Sequence, residues 1–214
     1  MKIAVIGTGN VGSALGGAFA RAGHEVTFAA RDAAKATNAA ASAGAMAAGV
    51  VEAVESSDVI VLAIPYGALD AVASEIAPVI RGKVVIDVTN PLAPDYSGLA
   101  NAGNQSAAEQ VAAELPGARV VKAFNTQFSQ VQANPALHGT RLDALYAADD
   151  DAAAETVAEL AGSIGFRPVR VGPLTAAREL EALAWLNIRL QMIASGTWQS
   201  SFVVVGAPEH ALAA

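Results

Sequence analysis

Short apolar runs alternate with helical stretches along the whole chain. The first run, Lys2-Ile3-Ala4-Val5-Ile6, has no polar alternation, which is how strands buried on both faces read. Beyond it, Val11, Leu15, Ala18 and Phe19 share one face of a predicted helix that reaches about Ala22 and is stopped by Gly23. Residues 25–30 read as a second strand, and Asp32 is placed to cap a helix that begins near Ala33. The pattern then predicts a strand over 58–64 ended by Pro65, a helix over 68–80 and a strand over 83–88. Residues 91–105 hold Pro, Gly, Asn, Asp and Ser and read as a loop. Ser106-Ala107-Ala108-Glu109 has the form of a capping box for a helix to Leu115, which Pro116-Gly117 breaks. A strand over 119–124, an irregular segment over 125–140, a strand over 142–147, a helix over 152–164 and a strand over 167–171 follow. A last helix covers about 176–193, and residues 197–205 add a small strand or a packed extension.

So regular an alternation predicts an α/β fold: a doubly wound, mostly parallel sheet with helices on both faces. No stretch is linker-like enough to divide the chain into autonomous units. Residues 1–173 are expected to form the main domain. Residues 174–214, too few to fold alone, are expected to form a small helical lobe leaning on it.

Composition narrows the function. Hydrophobic residues make up 53% and charged residues 15%, which excludes disorder driven by low hydropathy. The longest uncharged stretch, 36–51, is mostly Ala, Gly and Ser and too weakly apolar for a membrane span. The opening apolar run stops at Gly7, too early for a secretory leader. A net charge of −7 offers no basic surface to nucleic acid. There is no cysteine, so disulfides, thiolate metal sites and cysteine nucleophiles are excluded. The expectation is a soluble, cytoplasmic protein without a metal.

Gly7-Thr8-Gly9-Asn10-Val11-Gly12 carries the chemistry. It sits between a strand and a helix, inside a βαβ unit, which is where a G-x-G-x-x-G loop binds a dinucleotide. Gly7 allows the tight turn, Gly9 admits a diphosphate close to the backbone, and Gly12 lets helix pack on strand. The helix N-terminus then offers free N–H groups and partial positive charge. An NAD site carries an acidic residue at the end of the second strand. Ala30 stands there instead, followed by Arg31 and, one helical turn on, Lys35. Two cations in that place suit a 2′-phosphate and favour NADP. Asp32 is the competing signal, either a helix cap or a ribose ligand.

Ligands of such sheets sit beyond the carboxyl ends of the strands. Three ends are distinctive: Ala63-Ile64-Pro65-Tyr66, Val88-Thr89-Asn90-Pro91 and Ala123-Phe124-Asn125-Thr126. Together they are expected to line a nicotinamide pocket, with Ile64 and Pro65 as an apolar wall and Asn90 and Asn125 as hydrogen-bonding groups. His24, His138 and His210 fall at no predicted strand end, and no HExxH, GxSxG or carboxylate cluster occurs. No general acid or base is nominated. Hydride transfer between two rings needs mainly positioning and exclusion of water, so this absence points toward a flavin-like partner.

Gly7-Thr8-Gly9-Asn10-Val11-Gly12, Arg31 with Lys35, Ile64-Pro65, Ser106-Ala107-Ala108-Glu109, Gly172-Pro173-Leu174 and Ala177-Arg178 resemble the NADP oxidoreductases dependent on a deazaflavin, coenzyme F420. The resemblance runs along almost the whole chain. It implies a Rossmann domain with a small C-terminal lobe, commonly a homodimer, and hydride exchange between reduced deazaflavin and NADP. It also implies a nicotinamide near Ile64-Pro65 and a second ring over residues 123–126. Val120-Val121-Lys122-Ala123-Phe124-Asn125-Thr126 and Ala177-Arg178-Glu179-Leu180-Glu181 are similar, in turn, to the cytosolic domain of the six-transmembrane ferric reductases, which passes hydride from NADPH to a flavin. Two positions depart from the deazaflavin family: Ala30 replaces a serine of the 2′-phosphate site, and Asn125 stands where a histidine is typical.

The leading expectation is an NADP-dependent oxidoreductase whose hydride partner is coenzyme F420 or a flavin, FMN or FAD. Reduction of a small carbonyl or imine is disfavoured. The β-hydroxyacid dehydrogenases that do this carry a catalytic lysine on a long helical C-terminal domain, whereas the last lysine here is Lys122. A non-catalytic NADP(H)-binding sensor would present the same dinucleotide site. On the final helix, Leu180, Leu183, Ala184, Leu190 and Ile193 recur at helical spacing, with Trp185 and Leu186 beside them, and divide between core packing and a dimer contact.

Overall fold

A single sheet runs through the middle of the molecule with helices against both faces; the computed structural model describes residues 1–101, 105–194 and 196–206. Its strands are β1 (Lys2–Ile6), β2 (Glu25–Ala29), β3 (Met46–Ala47), β4 (Val59–Leu62), β5 (Val84–Asp87) and β6 (Arg119–Ala123), followed, after a small hairpin of β7 (Ala136–Leu137) and β8 (Thr140–Arg141), by β9 (Asp143–Ala148) and β10 (Arg167–Gly172). The helices are α1 (Asn10–Arg21), α2 (Ala33–Ala43), α3 (Val50–Glu55), α4 (Leu69–Ile76), α5 (Ala107–Glu114), α6 (Ser129–Gln132), α7 (Asp151–Ser163) and α8 (Ala177–Ala194). Across the sheet the order is β10-β9-β6-β5-β4-β1-β2-β3. The six strands from β3 to β6 are mutually parallel.

Side chains of successive strand residues point to opposite faces, so the central strands supply two cores at once. Ile3, Val5, Val59, Val61, Val84 and Ile86 pack with Leu15 and Phe19 of α1 and Val157 and Leu160 of α7. Ala4, Ile6, Ile60, Leu62 and Val85 pack on the other face with Val54, Leu69, Val72, Ile76 and Val111 of α3, α4 and α5. Each fully buried Val, Leu or Ile contributes roughly 1.5–3 kcal/mol. A third, smaller cluster joins Leu145, Ala147 and Val169 to Leu180 of α8.

Several boundaries follow the predicted capping chemistry. Asp32 Oδ1 accepts from the Ala34 and Lys35 amides at 3.0 and 3.4 Å, so it caps α2. The capping box of α5 is formed, with the Glu109 amide donating to Ser106 Oγ at 3.1 Å and the Ser106 amide to Glu109 Oε2 at 2.8 Å. The predicted helix over 68–80 is shorter. It ends at Ile76 in a 3-10 turn over Ala77–Val79, because Pro78 has no N–H to continue the ladder.

The sheet departs from a uniform parallel winding at β9, which pairs antiparallel to β6. A parallel return needs a crossover, usually a helix, that spans the sheet. The connection after β6 holds only the four-residue α6 and the β7–β8 hairpin, so the chain re-enters from the same edge. β3, α3, α6, β7 and β8 lie in stretches for which the pattern predicts no element. The last segment is a packed extension, not a strand. The Val204 amide donates to Asp143 Oδ2 at 2.7 Å, and Ser200 is held by Asn187 and Gln191.

Helix α8 is tied to α5 by a two-point ion pair, with Arg178 Nε and Nη2 donating to the Glu109 carboxylate at 2.8 and 2.6 Å. The guanidinium lowers the Glu109 carboxyl from 4.5 to about 2. A carboxyl depressed in the folded state stabilises the fold above its unfolded pKa, and that contribution is lost as pH falls from about 4.5 toward 2. Arg178→Ala is therefore expected to destabilise at neutral pH and to lose stability less steeply than the parent between pH 4.5 and 2. Urea midpoints measured across that range check this, and parallel pH profiles would refute it.

Candidate functional site

The turn after β1 is built by close backbone contacts. Gly7 has φ +107°, and a Cβ on it would lie 2.2 Å from the Ala63 carbonyl oxygen. A Cβ on Gly12 would lie 2.0 Å from the Gly7 carbonyl oxygen. The ends of β1 and β4 and the start of α1 thus touch with no room for side chains. Gly9 differs: it caps α1 with no side chain on the free amides, and a Cβ there meets nothing within 4 Å. The first turn of α1 carries no acidic residue. Free amides, the positive end of a helix and open space above Gly9 form a cradle that fits a diphosphate.

A cavity of about 590 Å³ opens from this turn. Gly7, Thr8 and Gly9 form one side, Ala30, Arg31 and Lys35 another, and Ala63, Ile64 and Pro65 a third. Arg31 and Lys35 are exposed, and neither makes an ion pair among the described residues. Asp32 and Glu75 line this cavity as well; Asp32 Oδ1 is engaged in capping α2, and Arg31 and Lys35 are the cations at this end.

A second cavity, of about 420 Å³, lies on the other side of the turn, and Asn10 and Val11 face it. Val88 and Asn90 after β5, and Asn125, Thr126 and Gln127 after β6, form its polar wall. Ala184 and Ile188 of α8 close one flank, and Phe128 and Trp198, edge to face at 5.2 Å, another. The two asparagines hold each other. Asn90 Nδ2 donates to the Asn125 carbonyl oxygen at 2.9 Å, and Asn125 Nδ2 donates to Asn90 Oδ1 at 3.0 Å and to the Leu180 carbonyl oxygen at 3.1 Å. Fully buried Gln132 donates to the Phe124 and Gln127 carbonyl oxygens at 2.9 and 3.3 Å and fixes the loop that carries this wall.

The three strand ends therefore do not enclose one pocket. Ile64 and Pro65 share a cavity with Arg31 and Lys35, whereas Asn90 and Asn125 share another with Asn10 and Val11. Ala123 lines neither; it is fully buried in the core, because its side chain points into the sheet face packed by α1 and α7.

Spacing along the sequence concealed a buried charge cluster. Lys122 on β6 is fully buried, and its Nζ donates to Asp87 Oδ2 at 2.8 Å, Glu181 Oε1 at 2.8 Å and the Thr89 carbonyl oxygen at 2.5 Å. Glu181 Oε1 also accepts from the Ala107 amide at 2.9 Å, at the start of α5. Burial pushes the Glu181 carboxyl up, with Lys122 opposing and Asp87 adding to the rise. The expectation of no carboxylate cluster is thus corrected: two carboxylates meet at one ammonium. A lone lysine and a lone aspartate inside apolar strand runs were the available signal. Of the histidines, His24 bonds Ser163 Oγ at 2.9 Å and the chain's amino terminus at 3.4 Å, and burial lowers its pKa. His138 is exposed, and His210 lies outside the described residues.

Residues 2–91 match the family described as NADP oxidoreductase, coenzyme F420-dependent. The F420-dependent NADP reductase of Methanothermobacter thermautotrophicus is 37% identical over 212 residues, covering 90% of this chain and 90% of that protein. Metalloreductase STEAP3 of Rattus norvegicus is 38% identical over 136 residues, 62% of this chain and 26% of that protein. Among solved structures, a protein of Arthrobacter sp. FB24 described as an F420-dependent NADP-reductase superposes with a TM-score of 0.87 at 28% identity, covering 96% of this chain and all of that one. Among the described residues, no helix is long and apolar enough to cross a membrane.

Because a side chain on Gly9 meets only open space, Gly9→Val is expected to fold while filling the diphosphate cradle. Its Tm should fall by no more than about 5 °C, and its dinucleotide affinity by roughly 100-fold or more. Calorimetric titration with NADPH decides; retained binding would remove the glycine turn from the cofactor site.

Proposed function

This chain belongs to the family of coenzyme F420-dependent NADP reductases, and we propose that it moves a hydride directly between NADP(H) and a deazaflavin held in the two cavities that meet at the glycine turn. The observation that carries the reading is the pairing of a cavity that presents Arg31 and Lys35 with an uncharged, aromatic-flanked one across a single turn. The chain is an oxidoreductase; the placement of ligands and the partner ring are our proposal. When bound, the nicotinamide and the deazaflavin ring supply the hydride donor and acceptor. The amides after Gly9 hold the diphosphate, and Arg31 and Lys35 face the 2′-phosphate. Ile64 and Pro65 give the nicotinamide an apolar wall. Asn90, Asn125 and the α8 flank orient the second ring, and Phe128 with Trp198 keep water from it. The nicotinamide exchanges only the hydride; the proton that the partner ring gains or loses at its nitrogen exchanges with solvent, so the residues act by holding two rings in register.

A flavin, FMN or FAD, is the second reading for the partner ring. It is favoured by the similarity to the metalloreductase and by Asn125, which fills a place where the resemblance implies a histidine. Residues 174–214 act, in this reading, as an acceptor-side lobe, since Ala184 and Ile188 of α8 flank the second cavity. Leu186, Leu190 and Ile193 on the same helix are 46%, 49% and 79% exposed and offer an apolar face for a second copy of the chain.

Anaerobic NADPH oxidation with coenzyme F420, FMN and FAD offered separately tests the proposal. Turnover with the deazaflavin alone is expected. Turnover with FMN or FAD instead would move the chain to flavin reduction, and none with any ring would overturn the reading. Arg31→Ala is expected to weaken NADPH binding by roughly 10- to 100-fold, the worth of a charge-assisted hydrogen bond, and NADH binding by less than about twofold. Equal losses for both dinucleotides would exclude a 2′-phosphate contact.

A further inference from the structure

The buried cluster at Lys122 lines neither cavity, yet it is joined to one of them through α8. Glu181, Ala184 and Ile188 stand at positions i, i+3 and i+7 of that helix and therefore share one face. The first is bonded to Lys122 and to the Ala107 amide, and the other two flank the second cavity. Two further contacts flank this stripe. Asn125 Nδ2 donates to the Leu180 carbonyl oxygen, and Asn187 Nδ2 donates to the Thr126 carbonyl oxygen at 3.2 Å. Apolar contacts of this helix come from small areas at Ala177, Leu180 and Ala184, and Arg178 pairs with Glu109 at its first turn. Leu180 sits in a small cluster, while Leu186, Leu190 and Ile193 remain exposed.

We propose that Glu181, through its bond to Lys122, is a positioning residue for the hydride acceptor: it fixes the rotation of α8 and so presents Ala184 and Ile188 to the acceptor cavity. The inference rests on the reading of the second cavity as the acceptor site. Glu181 touches neither ring; it acts through the helix that carries it.

The cluster's composition makes this testable without unfolding the chain. It holds two carboxylates for one ammonium, so removing Glu181 leaves Lys122 paired with Asp87 and bonded to the Thr89 carbonyl. In Glu181→Ala, the dissociation constant for coenzyme F420, read from quenching of tryptophan fluorescence with Trp198 at the cavity, is expected to rise about tenfold or more, while that for NADPH stays within about twofold. Glu181→Gln keeps an oxygen for Lys122 and the Ala107 amide and is expected to restore acceptor binding to within about threefold of the parent. Combined with Ile188→Ala, Glu181→Ala should have a smaller effect than the product of the two single changes, because both act on one surface. Thermal melts confirm that each variant is folded. Acceptor affinity unchanged in Glu181→Ala, equal loss for both ligands, or strictly multiplicative effects with Ile188→Ala would each overturn the positioning role. A parent that binds coenzyme F420, FMN and FAD not at all overturns the functional reading as well, which separates that failure from this one.

Discussion

An ammonium ion withdrawn from water needs its countercharge and its hydrogen bonds inside the protein, and Lys122 obtains all three bonds at the carboxyl edge of the sheet. Its partners come from different parts of the fold. Asp87 ends β5, Thr89 follows it, and Glu181 rides on α8 while bonding the first amide of α5. Breaking such a pair typically costs about 3–5 kcal/mol, whereas an apolar set of similar volume is often no less stable. What the ion cluster adds is direction. Apolar contacts let a helix settle at several rotations, but a carboxylate bonded to one ammonium and one amide accepts a single placement. Together with the Arg178–Glu109 pair and the bonds of Asn125 and Asn187, this carboxylate ties α8, and with it one flank of the second cavity, to the sheet edge.

The second constraint is steric and lies three strands away along the same edge, at β1. Gly7 and Gly12 draw β1, α1 and the end of β4 so close that no Cβ fits between them. The backbone of Gly7, Thr8 and Gly9 thereby faces one cavity, while Asn10 and Val11 at the start of α1 face the other. Under the proposed reading, two ligands approach each other across this turn without sharing a wall. Of these two cavities, Arg31 and Lys35 line only the first and Phe128 and Trp198 only the second.

Legibility in the sequence tracked the range of the interactions. The β1–α1–β2 unit, the Asp32 cap and the Ser106–Glu109 box depend on residues within a turn or two, and they stand where the pattern put them. The alanine-rich stretch over 36–51 has no periodicity to mark β3 or the start of α3. The antiparallel entry of β9 depends on what the preceding segment lacks, a crossover helix, and an irregular segment does not announce its direction. Lys122 lies 35 residues from Asp87 and 59 from Glu181, so their meeting is a property of the strand order and not of any motif. The grouping of the strand ends was legible as chemistry but not as geometry. Ile64-Pro65 and the Asn90–Asn125 pair read as one pocket because a linear pattern carries no information about which side of the glycine turn each faces.

Buried carboxylates beside a ligand site usually invite an acid–base role, and here the geometry argues against one. Both oxygens of Asp87 are occupied, one by Lys122 and the other by the Thr89 amide at 2.9 Å. Glu181 is closed in the same way by Lys122, the Ala107 amide and Asn101 Nδ2. None of these groups lines either cavity, so none has a path for delivering a proton to a bound ring. In the proposed reaction the proton that accompanies ring reduction exchanges with solvent, and the step between the rings moves only the hydride. Its rate depends on how closely and how squarely the two rings are held. In the proposed reading that task falls to backbone amides, two mutually bonded asparagines and a helix held by a buried ion pair, all of which define position.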